Sequence, residues 1–305
     1  MTAADQDQDL LDAPGPGFRR RILDGFYRRP RASLAAVLAP PVGWMSVVYF
    51  GSLALLMVSA FWYLDPRTST IVHQFTLKNF ETILTQPVYR TITLRTLGMA
   101  IAVTVTCVAL AFPIAFYMAR VASPRTRRSL VVLTLLPLWS SYVVKVFAWR
   151  VILQPNGPLD WVGQQSGTGA LRLGFSEVAG WLVFTYLWLP YMILPIYAGL
   201  ERIPGSLLEA SADLGGRSPT TFRKVILPLA LPAVVAGSIF TFSLTLGDYI
   251  TPPLVMDTKF IGNVIYDNQG IAGNIPLAAA YSFVPIIIMA VYLMLARRAG
   301  AFEAL

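Results

Sequence analysis

The chain alternates long apolar runs with short polar stretches, and six of the runs are long enough to cross a bilayer. A hydrocarbon core about 30 Å thick takes about 20 apolar residues in helix. The runs are 42–64, 93–119, 130–153, 178–200, 229–250 and 275–296. Helix is predicted for each, because an open sheet in lipid would leave backbone groups unpaired. Pro113, Pro137, Pro190, Pro195 and Pro285 fall inside runs. Each marks an expected kink, with freed carbonyls satisfied by neighbouring helices. The expected fold class is all-α, a polytopic membrane protein with six transmembrane helices.

Composition agrees with this pattern. Of 305 residues, 55% are hydrophobic and 13% charged, against about 25% charged in soluble domains. Mean hydropathy is +0.60. The net charge of +8 does not point to nucleic acid, because the basic residues lie in short patches beside apolar runs. One cysteine, Cys107, and one histidine, His73, give no disulfide framework and no metal-ligand spacing. The stretch 1–17 is acidic and contains Gly and Pro, and it reads as a disordered tail, not a secretory signal.

The Lys/Arg bias sets the orientation. One side collects Arg19, Arg20, Arg21, Arg28, Arg29, Arg31, Arg120, Arg125, Arg127, Arg128, Arg202, Arg217, Arg223, Lys224, Arg297 and Arg298. The other side has Arg67, Lys78, Arg90, Arg95, Arg150, Arg172 and Lys259, while Lys145 falls within a run. Both termini, including the tail 299–305, are therefore expected in the cytoplasm. The segment 18–41 is basic and interleaved with Ile22, Leu23, Phe26 and Tyr27. It reads either as an interfacial helix on anionic lipid or as a flank that only sets topology. The stretch 154–175, with Pro155-Asn156-Gly157-Pro158, is an outer loop.

Between the fourth and fifth runs lies a polar island, 201–228, on the basic side. Pro204 and Gly205 end the preceding helix. Ser206 with Glu209 has capping-box spacing, which predicts a new helix with Leu207, Leu208, Ala210, Ser211 and Leu214 on one face. Gly215-Gly216 is expected to end it, and Ser218-Pro219 to start a second short helix.

The island resembles the EAA loop of permease subunits of binding-protein-dependent ABC importers. That pattern is Glu-Ala-Ala, three residues, Gly, nine residues, Ile, one residue, Leu-Pro. The chain has Glu209-Ala210-Ser211, Gly215, Val225 and Leu227-Pro228, departing only at Ser211 and Val225. The stretches 115–120, 136–139, 210–215 and 240–249 are similar to spermidine/putrescine permeases, the putrescine type above all. The resemblance implies the type I importer permease fold in a bacterial inner membrane. It also implies a second permease subunit, two cytoplasmic ATPases and an extracytoplasmic solute-binding protein. The expected coupling residues are then Glu209, Ala210, Ser211, Asp213, Gly215, Leu227 and Pro228. The plainer reading of Glu209 is a carboxylate that caps its own helix.

The sequence has no G-x-x-x-x-G-K-[ST] loop and no catalytic constellation. The chain is therefore expected to be non-enzymatic and free of cofactors, with ATP and Mg²⁺ bound by the partner ATPase. Ionisable groups at membrane depth mark pathways by default. Asp248 and Lys145 are candidates, with Trp139, Tyr142, Trp149 and Tyr249 as aromatic faces for a cation. Each has a plainer reading: Asp248 as a cap after Gly247, Lys145 as a snorkelling or paired lysine, the aromatics as belt or core. The expected substrate is a polyamine. Alternatives are another small solute (amino acid, 4-aminobutyrate or anion), an ion-coupled secondary transporter, and a scaffold without transport. The exposed EAA-like loop has no role in a secondary transporter, and the two halves show no convincing repeat of the kind many such transporters carry; a scaffold need not bring down an ATPase.

Overall fold

The computed structural model describes residues 30–167 and 173–298. The expectations for the tail 1–17, the basic stretch 18–29 and the tail 299–305 lie outside them. Among the described residues five helices are long and apolar enough to span a membrane, within Val37–Ser59, Pro87–Val121, Glu177–Glu201, Ser218–Gly247 and Ile275–Arg298. A bent pair of helices passes the same test together and makes a sixth when taken as one broken span.

Helix α1, Pro30–Ser59, contains Pro40 and Pro41. Residues 30–41 are thus helical and continuous with the first span, Val37–Ser59. The span also ends earlier than hydropathy predicts. Residues after Ser59 turn into a two-residue strand, β1 (Tyr63–Leu64), paired antiparallel with β2 (Ile71–Val72). Trp62 N–H bonds Ser59 O, and Asp65 Oδ1 accepts from Arg67 N–H at 2.8 Å to close the hairpin turn. An apolar count cannot see this, because Phe61, Trp62 and Tyr63 serve a hairpin as well as a helix. His73 packs edge-on against Trp62.

Helix α2 is Lys78–Thr85, and α3 is Pro87–Phe116, which continues into a π-helical turn, Tyr117–Val121. The predicted third span, 130–153, is not one helix. It is α4 (Pro124–Trp139) followed by α5 (Tyr142–Leu153), bent by 93° at Ser140–Ser141. Pro137 lies just before the break, whereas the helices run on through Pro113, Pro190, Pro195 and Pro285. The short α6 (Pro158–Gln165) lies in the outer loop.

Helix α7, Glu177–Glu201, supplies much of the core. Val183, Phe184, Leu187, Met192, Ile196 and Leu200 are buried at helical spacing. They meet a seam of α3 made of Val103, Cys107, Ala111 and Ala115, all fully buried. On its other flank α7 meets α10, Leu227–Gly247. A Cβ on Gly199 would stand 2.4 Å from Ala233 Cβ, so small residues set how close these two helices come.

After α10 come α11 (Thr251–Val255), α12 (Ile261–Tyr266), a π-helical turn (Asp267–Ile271) and α13 (Ile275–Arg298). The island forms α8 (Gly205–Asp213) and α9 (Ser218–Thr221), with a π-helical turn, Phe222–Ile226, leading into α10.

Candidate functional site

The island is a helix–turn–helix fixed at its root and open at its tip. The predicted capping box is absent. Pro204, extended at φ −63° and ψ 139°, takes the cap position and its carbonyl accepts from Leu207 N–H at 3.2 Å. Ser206 therefore falls inside the first turn, and Glu209 makes no capping bond. Glu209 is exposed, so the plainer reading of it as a cap loses its geometry.

The far end of α8 closes as the glycines predict. Gly215 has φ +78°, a left-handed conformation costly for a side-chain-bearing residue. Gly215 N–H bonds Ala212 O and Gly216 N–H bonds Ser211 O, each at 2.8 Å, the paired bonds of a Schellman turn. A Cβ on Gly216 would lie 2.6 Å from both Ser211 O and Ser211 Oγ. Ser211 Oγ meets Thr221 Oγ1 at 2.8 Å and so clips α8 to α9. This use of the hydroxyl explains a serine where the EAA pattern has alanine, and spacing alone gave no signal for Thr221.

Leu208 and Phe222 anchor the island to the core, Phe222 edge-on to Phe112 and Phe116. The expected single apolar face is therefore divided. Leu208 points in, while Ala210, Asp213 and Leu214 point out, Leu214 being 89% exposed. Leu227 N–H bonds Phe222 O across the π turn, and the exposed Pro228 lies in the first turn of α10.

The second candidate region is a cavity of about 300 Å³ lined by Tyr142, Trp188, Ser243, Leu244, Gly247, Asp248, Tyr249 and Ile250. Asp248 ends α10 with an extended backbone and is 8% exposed. Its Oδ1 accepts from Ile250 N–H and Thr251 N–H, each at 2.8 Å. Its Oδ2 accepts from the hydroxyls of Tyr142 and Thr251. Asp248 is thus both a cap for the following turn and a cavity wall. Tyr142 stacks on Trp188, with ring centroids 5.8 Å apart, and Tyr249 stacks on Tyr266 at 5.0 Å. Trp188 was not among the sequence candidates, since an apolar helix gives no cue to which aromatic faces a cavity. Its Nε1 is buried and has no hydrogen-bond partner among the described residues.

Tyr142, Asp248 and Tyr249 therefore converge, whereas Lys145 and Trp139 do not join them. Lys145 Nζ donates to Pro137 O at 2.9 Å, placing a cation on the last turn of α4 across the break. Trp139 is 86% exposed. Trp149 packs on Tyr186.

Residues 111–301 match the family described as binding-protein-dependent transport system inner membrane component. The chain is 44% identical to the inner membrane ABC transporter permease protein YdcU of Escherichia coli K12, covering 97% of this chain and 99% of that one. It is 30% identical to the spermidine/putrescine transport system permease protein PotB of Salmonella typhimurium SL1344, over 87% and 92% of the two chains. A bacterial alginate ABC transporter in complex with an alginate-bound periplasmic protein shares the fold. Its TM-score is 0.73 at 14% identity, over 90% of this chain and 96% of that one.

Proposed function

The chain belongs to the binding-protein-dependent transport inner membrane components, multi-pass inner-membrane permeases of ABC importers, and from that premise we propose that it moves a polyamine-type cation. Movement is driven by a cytoplasmic ATPase docked on α8. A second permease subunit completes the pathway, and an extracytoplasmic binding protein delivers the solute. The chain takes no cofactor of its own, because ATP and Mg²⁺ belong to the ATPase.

The observation that carries the coupling reading is the island's construction. Its root is buried and its turn is pinned, while Glu209, Ala210, Asp213 and Leu214 are left outward. A rigid, exposed helix end is a surface that can take a push without bending. Gly215→Val should remove the ATPase from affinity-purified permease while leaving the permease in the membrane. Undiminished ATPase recovery would refute docking at this turn.

The substrate reading is supported by Asp248 beside the aromatic faces of Tyr142, Trp188 and Tyr249, and by the solutes named for the PotB relatives. A second reading, 4-aminobutyrate or another amino acid, is favoured by one feature. The Asp248 carboxylate already accepts four hydrogen bonds, while Trp188 Nε1 offers an unused donor to an acceptor on the guest. Uptake of labelled putrescine and of labelled 4-aminobutyrate by a deletion strain, with and without the restored gene, separates the two.

A further inference from the structure

Two arginines that charge counting assigns only to the cytoplasmic flank form a brace at the root of the island. Arg120, in the π-helical turn after α3, reaches across to the end of α7. Its Nη2 donates to Leu200 O at 2.6 Å and to Ile203 O at 2.7 Å. Ile203 is 6% exposed and precedes Pro204, where the coupling helix begins. Arg127, in the first turn of α4, ties the same junction from the other side. Its Nε donates to Met118 O at 3.0 Å, its Nη2 to Ala119 O at 3.2 Å, and its Nη1 to Glu201 Oε1 at 3.3 Å.

The ends of α3 and α7 and the start of α4 thus meet on two guanidinium groups. A cation on the last carbonyls of a helix is favourable, and the planar fork fixes the direction of its bonds as an ammonium does not. From this junction α4 runs for 16 residues, about 24 Å at 1.5 Å per residue. At its far end is the break at Ser140–Ser141, and Tyr142 beyond it bonds Asp248 in the cavity wall.

We propose that Arg120 and Arg127 are positioning residues that convert displacement of the coupling island into movement of α4, and so set the opening of the Tyr142–Asp248 cavity. This rests on the coupling reading above and adds the route by which force leaves the island.

The test uses the assembled importer in proteoliposomes, with Ser141→Cys as a reporter. Ser141 is exposed at the break, Cys107 is fully buried, and labelling is read on the permease band after the subunits are separated. A membrane-impermeant maleimide is the probe, applied without nucleotide and after trapping with ATP, Mg²⁺ and vanadate. A parent permease that recovers no ATPase would overturn the coupling reading, whereas one that recovers it but whose labelling does not respond to trapping overturns the brace alone. In a responsive complex, Arg120→Met is expected to keep ATPase recovery and ATP hydrolysis but to lose the labelling response by about tenfold, the size of an ordinary coupling term. Arg120→Lys should restore part of that response. Arg127→Gln provides the same comparison if the Met variant does not accumulate. A full response in both variants overturns the brace. So does loss of ATPase recovery together with the response, since the arginines would then serve only to fold the island.

Discussion

At Asp248 a single carboxylate joins three pieces of chain. Its Oδ1 holds the two N–H groups that start α11, and its Oδ2 receives the hydroxyls of Tyr142 and Thr251. An asparagine keeps one oxygen for the N–H groups and turns its amide toward hydroxyls that can also accept. Asp248→Asn should therefore accumulate normally yet weaken uptake of a cationic solute, measured as initial uptake rate against membrane abundance. Asp248→Ala strands buried donors and should cost about 1–3 kcal/mol. Tyr142→Phe removes one of the four bonds to Asp248 together with the contact to Thr251 Oγ1, but it strands no buried N–H and should cost less, about 0.5–1.5 kcal/mol per bond. Thermal unfolding in detergent orders the three variants, and an alanine variant as stable as the parent would show that Asp248 is no cap. The identity of Asp248 as a candidate was legible from its charge beside an apolar run. Its donors at Ile250 and Thr251 are within three residues and suit the cap reading, but the Tyr142 donor was not legible, because it lies 106 residues away.

The stretch entering α4 and α5 shows how an apolar run can be long enough for a span and still not be one helix. The stretch 130–153 has the length and hydropathy of a helix, but it turns by 93° after Trp139. Breaking a helix frees its last carbonyls, and Pro137 O is taken by Lys145 Nζ and by Ser140 Oγ, each at 2.9 Å. Lys145 thus stabilises the bend, and its charge suits a helix C-terminus. Replacing it by Met should loosen the junction by about 0.3–1 kcal/mol. That loss should appear as faster amide hydrogen exchange confined to the segment around Ser140–Ser141, with Lys145→Arg close to the parent. Unchanged exchange in the Met variant would return Lys145 to the list of pathway residues. The helix–turn–helix of the island was more legible than this bend. Three glycines and three prolines punctuate it locally, and only its cap moved, from Ser206 to Pro204.

For the whole molecule, sidedness is the property from which coupling follows. Leu214 at the island tip and Lys259 between α11 and α12 are both exposed. Single cysteines at these positions should react with an impermeant maleimide from opposite faces of oriented membranes, position 214 from the cytoplasmic face. Reaction from the same face would reverse the topology and remove the island from its ATPase. The class of molecule, the number of apolar runs, the charge bias that predicts sidedness and the spacing of the island were all legible along the chain. Hydropathy, charge bias and motif spacing are all written along neighbouring residues, so no contact need be known to read them. Contacts between separate elements were needed to show that Arg120 grips carbonyls 80 and 83 residues away, that Ser211 clips to Thr221, that Trp188 faces the cavity, and that Lys145 serves a bend. Each depends on which faces of separate helices meet. Between α7 and α10 that is set by packing as close as Gly199 against Ala233, which no pattern along one helix records.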